Sequence, residues 1–134
     1  MSPHSSAEML LVVESAKTVE EVSRAVGEVC ARHQFGLLGS YDLRKKLKEK
    51  GLRLERECRV FEVCNPRQAQ RVLTGNPAIA TALPCRIAVY EEGGSTRVAT
   101  IRPTALLSLF LDPELLPVAQ EVERTLSEIM QELA

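Results

Sequence analysis

Two single apolar stripes, one near each end of the chain, set the strongest limit on how this sequence folds. Val19, Val22, Val26, Val29 and His33 recur at spacings of three and four, the mark of a helix of about four turns with one face to bury. Leu115, Val118, Val122, Leu126, Ile129 and Leu133 repeat the pattern in a heptad-like stripe at the C-terminal end. A helix with one apolar face needs one apolar surface to cover. The strands of the chain are expected to form one sheet, so both helices are expected on the same face of it.

The remaining elements follow from local chemistry. Residues 1–6 read as a flexible tail and residues 7–134 as a single domain. Met9 to Ser15 alternates as a strand, with Leu11 and Val13 on one face and Leu10 and Val12 on the other. Thr18-Val19-Glu20-Glu21 is a capping box that opens the first long helix. Gly36 breaks that helix, and Leu37 to Tyr41 forms a second strand. Asp42 caps a short basic helix that Gly51 ends. Cys58 to Cys64 alternates, with Arg59, Phe61 and Val63 opposite Cys58, Val60, Glu62 and Cys64. Asn65-Pro66 starts a helix carrying Ala69, Val72 and Leu73, which Gly75 ends; Asn76-Pro77 restarts a helical turn that Pro84 terminates. Cys85 to Glu91 and Arg97 to Ile101 form a hairpin through Glu92-Gly93-Gly94-Ser95. Thr104 to Phe110 is a helical turn, and Asp112-Pro113 caps the last helix. Only one connection alternates as a parallel sheet requires. The fold class is therefore α+β: two layers, a mainly antiparallel sheet with helices on one face.

Composition excludes several functions. Aromatic residues are 4% of the chain and there is no Trp, so no stacking surface for single-stranded nucleic acid is expected. The net charge of −1 argues the same way, although Arg44 to Arg59 carries a local balance of +5 and Asp112 to the end one of −5. Two solvated faces are the simplest account of both. The apolar run Met9 to Val13 is far shorter than the ~20 residues a bilayer needs, and the first residues lack the pattern of a secretory signal. A cytoplasmic protein with reduced cysteines is expected.

Chemistry concentrates around two of the four cysteines. Cys64-Asn65-Pro66 opens one helical stretch and Leu83-Pro84-Cys85-Arg86 closes it. Cys64 lies one residue before the helix cap, where the positive end of the helix dipole favours a thiolate, and Arg67 and Arg86 stand close in sequence. Cys64, Asn65, Pro66, Arg67, Cys85 and Arg86 are thus the candidate ligand-binding residues, with Cys64 the one candidate nucleophile. The competing reading is that small cysteines pack strand ends as ordinary hydrophobes; alternation sets Cys85 with Ile87 and Val89 and favours packing there. The 21-residue spacing is not a Cys-x-x-Cys redox motif. Cys30 and His33 make one loose pair where zinc sites use two, so no metal or other cofactor is expected. Gly93-Gly94 lies at a hairpin tip and is a turn, not a phosphate loop.

Cys64-Asn65-Pro66, the strand Leu83 to Glu91, Phe35-Gly36, Asp42-Leu43 and Leu47 to Gly51, in this order and separation, resemble the bacterial and archaeal "domain of unknown function 302" from about Met9 onward. The resemblance implies a TATA-box-binding-protein-like fold with a curved antiparallel sheet, and a homodimer. It implies no DNA binding, because one fold hosts many functions. The chain departs from the family pattern just before Leu83, where Ala78-Ile79-Ala80-Thr81-Ala82 stands in place of a Gly and bulkier aliphatics. Three functions remain open at this point. The first is a non-catalytic dimeric module binding a small anionic or thiol-reactive molecule near Cys64 and Cys85. The second is a sulfur- or redox-handling protein using Cys64 as a reactive thiol. The third is a protein-interaction module working through its charged surfaces.

Overall fold

The computed structural model describes residues 6–134, with Ser6 and Ala7 described by backbone alone. The tail expected over residues 1–6 thus lies outside the described residues apart from Ser6, which opens a short helix α1 (Ser6–Met9). The chain continues through β1 (Leu10–Ser15), α2 (Val19–Arg32), β2 (Gly36–Asp42), α3 (Leu43–Glu49), β3 (Cys58–Cys64) and α4 (Pro66–Gly75). A 3-10 turn (Pro77–Thr81), β4 (Cys85–Glu92), β5 (Ser95–Ile101), α5 (Pro103–Leu107), a second 3-10 turn (Ser108–Phe110) and α6 (Leu115–Leu133) complete it. The five strands form one open sheet in the order β1-β5-β4-β3-β2, and every neighbouring pair is antiparallel. The fold is α+β, as the element pattern requires.

Local chemistry sets the element ends. Thr18 accepts from the Glu21 N–H while the Glu21 carboxylate accepts from the Thr18 N–H, each at 3.1 Å, closing the capping box of α2. Asp42 and Asn65 cap α3 and α4 through their side chains. Gly93 and Gly94 both have positive φ, 61° and 80°, as a two-residue hairpin turn requires and as side chains resist. The start of α6 is the exception. The sequence places it at Asp112-Pro113, but the helix begins at Leu115. Asp112 spends its Oδ1 on the Glu114 N–H and its carbonyl on the Leu115 N–H, forming a turn ahead of the helix.

One face of the sheet holds the core. The register sets Phe61 against Ile87 and Val89 against Val98, and all four are buried. Over them lie Val22, Val26 and Val29 of α2 and Leu126, Ile129 and Leu133 of α6, which join them in one apolar cluster. Both long helices therefore occupy the same face, the one on which the strands carry their buried apolar residues. Arg59 of β3 fastens the start of α2 through a 2.6 Å ion pair with Glu20. Glu123 of α6 takes the Thr104 N–H at 3.1 Å and its hydroxyl at 2.7 Å, which fixes the first turn of α5.

The other end of α2 is tied to α6 by charge. Arg32 bonds the Glu132 carboxylate at 3.0 Å and His33 Nε2 bonds it at 2.7 Å. These bonds, His33 first and Arg32 second, hold the Glu132 carboxyl below its usual value of 4.5. A carboxyl depressed in the folded state stabilises it above the unfolded pKa, and that contribution is lost as pH falls through the folded value. Urea unfolding followed from pH 7 to pH 3 is therefore expected to show a shallower acid loss of stability in Glu132→Gln than in the parent chain. The acidic C-terminal region spends its charge on Arg32, His33 and Arg102, and the pairs of the basic segment run to Glu20, Asp42, Glu55, Glu57 and Glu92. Among the described residues, these ion pairs thus do not join the two charged regions to each other.

Candidate functional site

At the end of the sheet where β3 finishes, β4 starts and β5 finishes, the core does not close. A cavity of about 200 Å³ remains between these strand ends, α4, residues 81–84, α5 and α6. Its inner lining is apolar: Val63 from β3, Val72 from α4, Leu107 from α5, and Val118 and Val122 from α6, all buried. Thr81, Arg86 and Ile101 bring exposed residues to its rim. The space exists partly because small side chains stand where larger ones would fill it, with Ala69 on α4 and Thr81 and Ala82 ahead of β4.

Cys64 and Cys85 both line this cavity. Strand alternation alone sets them on opposite faces, since Cys85 pairs with Val63, but both stand at strand ends and meet the same space. Their chemistry is that of thiols. Burial pushes Cys64 up from its ordinary value, against the direction in which the α4 start acts. Burial also carries Cys85 up to about 11, with a smaller rise from the charge of Cys64. Thiolate nucleophilicity at neutral pH is not what this environment promotes.

Of the six residues singled out in the sequence, four meet at the cavity. Cys64, Asn65, Cys85 and Arg86 line it; Pro66 and Arg67 are exposed on α4 and do not. Asn65 spends its side-chain oxygen on the Gln68 N–H at 3.1 Å, and Arg86 extends to Glu62 at 3.6 Å with its side chain 70% exposed. Sequence reasoning missed Gln68, Ala69 and Val72, which follow Asn65 at the three- and four-residue spacing of one helix face. It also missed Thr100 and the α5 and α6 walls. The loose Cys30 and His33 pair does not converge: Cys30 is buried in the core and His33 is held by Glu132.

Among the described residues, the long helices α2 and α6 leave the opposite face of the sheet open. Register runs Val12, Ala99, Ala88, Val60 and Tyr41 straight across all five strands. Val12 and Tyr41 are exposed. The Tyr41 hydroxyl donates to Glu62 at 2.8 Å, and its ring lies over Gly39, where a Cβ would come within 3.2 Å of the phenol oxygen.

Fold and site together define an open-faced α+β sheet domain with a small apolar cavity, flanked by two thiols, at the ends of its inner strands. The chain belongs to the family described as Domain of unknown function DUF302, whose model matches residues 11–133. Among solved structures it is similar to an uncharacterized conserved DUF302 protein from Bacillus stearothermophilus. That crystal structure shares 31% identity with it at a TM-score of 0.89, over 94% of this chain and 98% of the other. No curated protein matches. Among the described residues, no helix is long and apolar enough to cross a membrane.

Proposed function

We propose that this chain is a non-catalytic binding module whose ligand is a small molecule held in the cavity between the inner strand ends, α4, α5 and α6. The cavity itself carries the reading. Its largely apolar wall, open to solvent at the rim, offers a hydrophobic molecule surface to bury. A cavity of ~150 Å³ lined by apolar side chains takes up benzene, so one of this size suits a single-ring molecule. Thiol-reactive ligands would meet Cys64 and Cys85 in the wall; anionic ones would meet only Arg86 at the rim. Burial keeps both cysteines protonated, which favours binding over the alternative of sulfur or redox chemistry at Cys64.

Toluene is the probe. At ten times its Kd a ligand adds about 1.4 kcal/mol to stability, so saturating toluene is expected to raise the melting temperature and to slow alkylation of Cys85. Ala69→Leu, which fills the cavity from α4, is expected to abolish both effects while the protein stays folded. Unchanged melting and unchanged Cys85 labelling in the parent chain would overturn the reading.

The open sheet face supports a second copy as partner. Five strands at ~4.8 Å and about seven residues at ~3.4 Å give a footprint of about 570 Å² per copy. Two such faces bury about 1,150 Å², just above the ~1,000 Å² expected of a specific interface. The row from Val12 to Tyr41 would sit at its centre, with the charges of Glu14, Arg97, Arg86 and Glu62 around it. Light scattering at micromolar concentration is expected to return a homodimer, and Ala88→Glu, which sets a charge in the middle of the row, a monomer. A particle of 14.8 kDa from the parent chain ends this proposal.

A further inference from the structure

We infer that α3 and the turn after it form a docking surface for an anionic lipid bilayer, a contact made on the membrane surface without a span. α3 is closed at both ends. The Asp42 side chain accepts the Lys45 N–H at its start. At its end Gly51 takes a positive φ of 77°, and the Gly51 and Leu52 N–H groups bond back to the Lys48 and Leu47 carbonyls at 3.0 and 2.9 Å. Yet α2, α4, α5 and α6 each bury side chains, and α3 buries none. The chain thus fixes a helix that adds nothing to the core. It follows directly on β2, at the end of the sheet where β3 starts, opposite the cavity.

The cations of this segment divide by residue type. Arg44, Arg53, Arg56 and Arg59 pair with Glu57, Glu55, Glu92 and Glu20. Lys45, Lys46, Lys48 and Lys50 are all exposed, and among the described residues none of the four has a carboxylate partner. Glu49 is the one acidic residue on the helix. Helical spacing sets Lys46 and Lys50 along one side of the line from Leu43 to Leu47, and Arg44 and Lys48 along the other. Leu43 is 37% exposed and Leu52, beside the Leu47 carbonyl, 59%. Lysines flanking exposed leucines are what a helix lying in a bilayer interface carries: the apolar side chains enter the acyl boundary and the ammonium groups reach the headgroups. A nucleic acid would use the charges but offers the leucines no apolar phase. A folded protein partner would favour arginine, since lysine is depleted at such interfaces. A diffuse anionic surface suits mobile point charges that need no fixed partner.

Vesicle flotation tests the surface, first with the parent chain. Phosphatidylcholine vesicles containing phosphatidylserine are expected to bind it at low salt, and pure phosphatidylcholine vesicles to leave it free. Added salt should weaken the binding. A lysine near an anionic surface is worth about fivefold in partitioning, so Lys46→Gln/Lys50→Gln is expected to bind about 25-fold more weakly. Leu43→Gln/Leu52→Gln, with every lysine kept, should also weaken vesicle binding several-fold. The same variant should be retained on heparin, a charged polymer without an apolar phase, as well as the parent chain is. All four substituted positions are exposed, so both variants are expected to melt where the parent does. No binding of the parent chain to anionic vesicles, equal binding to neutral ones, or undiminished binding of the lysine variant would overturn the proposal. Vesicle binding unmoved in the leucine variant, or tighter binding per phosphate to a DNA duplex than to vesicles, would also overturn it, by assigning the lysines to a polyanion in place of a bilayer.

Discussion

Replacing Leu126 with Ala is expected to lower the free energy of unfolding by about 3–5 kcal/mol, enough to leave much of the protein unfolded if its stability lies near the low end of the usual ~5–15 kcal/mol. Leu126 is at 0% exposure near the middle of α6. It belongs to the stripe that packs on the same core as Val22 and Val26 of α2. Truncation removes its transfer free energy and leaves a void that α6 cannot close, because the helix is held at one end through Glu132 to α2 and nearer its start through Glu123 to α5. The control is Leu116→Ala on the same helix. Leu116 is 51% exposed, and its truncation should fall within the ~0.5 kcal/mol typical of surface changes. Urea titrations should therefore shift the midpoint of Leu126→Ala strongly and that of Leu116→Ala hardly at all, with the slope unchanged in both. Equal midpoints would mean that the two-stripe packing of α2 and α6 is not what holds the domain.

That packing was legible because it is written locally. The stripe Val19, Val22, Val26, Val29 repeats within one helix, and the alternation of Cys58 to Cys64 within one strand, so each element states its buried face without reference to the rest. The shared face of α2 and α6 followed from there being one sheet for two stripes. The cavity was legible only in part. Cys64, Asn65 and Cys85 stood out through residue type at element ends, where chemistry and geometry coincide. Arg67 is near Cys64 in sequence, yet the helix turns it to solvent and brings the next residue, Gln68, inward. The Val118, Val122 and Leu107 walls come from elements distant in the chain, and nothing in an apolar residue's identity tells whether its contact is another side chain or a void. The start of α6 failed for a related reason: Asp-Pro is as good a turn as a cap, and only the hydrogen bonds of Asp112 decide between them.

The second large effect concerns the thiols. Under limiting iodoacetamide at pH 7.5, Cys64 is expected to label first and Cys30 last, with Cys30 slower by a factor on the order of a hundred or more. Burial pushes the Cys30 thiol up to about 11, and each pKa unit well above the ambient pH cuts the thiolate tenfold. Cys30 is also at 0% exposure on the core side of α2, so the reagent reaches it only when the domain opens, which multiplies the delay. Cys85 shares the chemical penalty, at about 11, but lines the cavity, so its labelling should fall between the two and should respond to an occupant where that of Cys30 does not. Cys58 and Cys64 are part-exposed and are raised by burial as well. Their rates should accordingly keep climbing with pH beyond ~8.5, the ordinary thiol value. The pH profile of Cys64 is the decisive measurement. A rate that levels off below ~8.5 would show a thiolate stabilised by the start of α4 against the cost of burial. It would move the balance from a binding cavity toward sulfur or redox chemistry at Cys64.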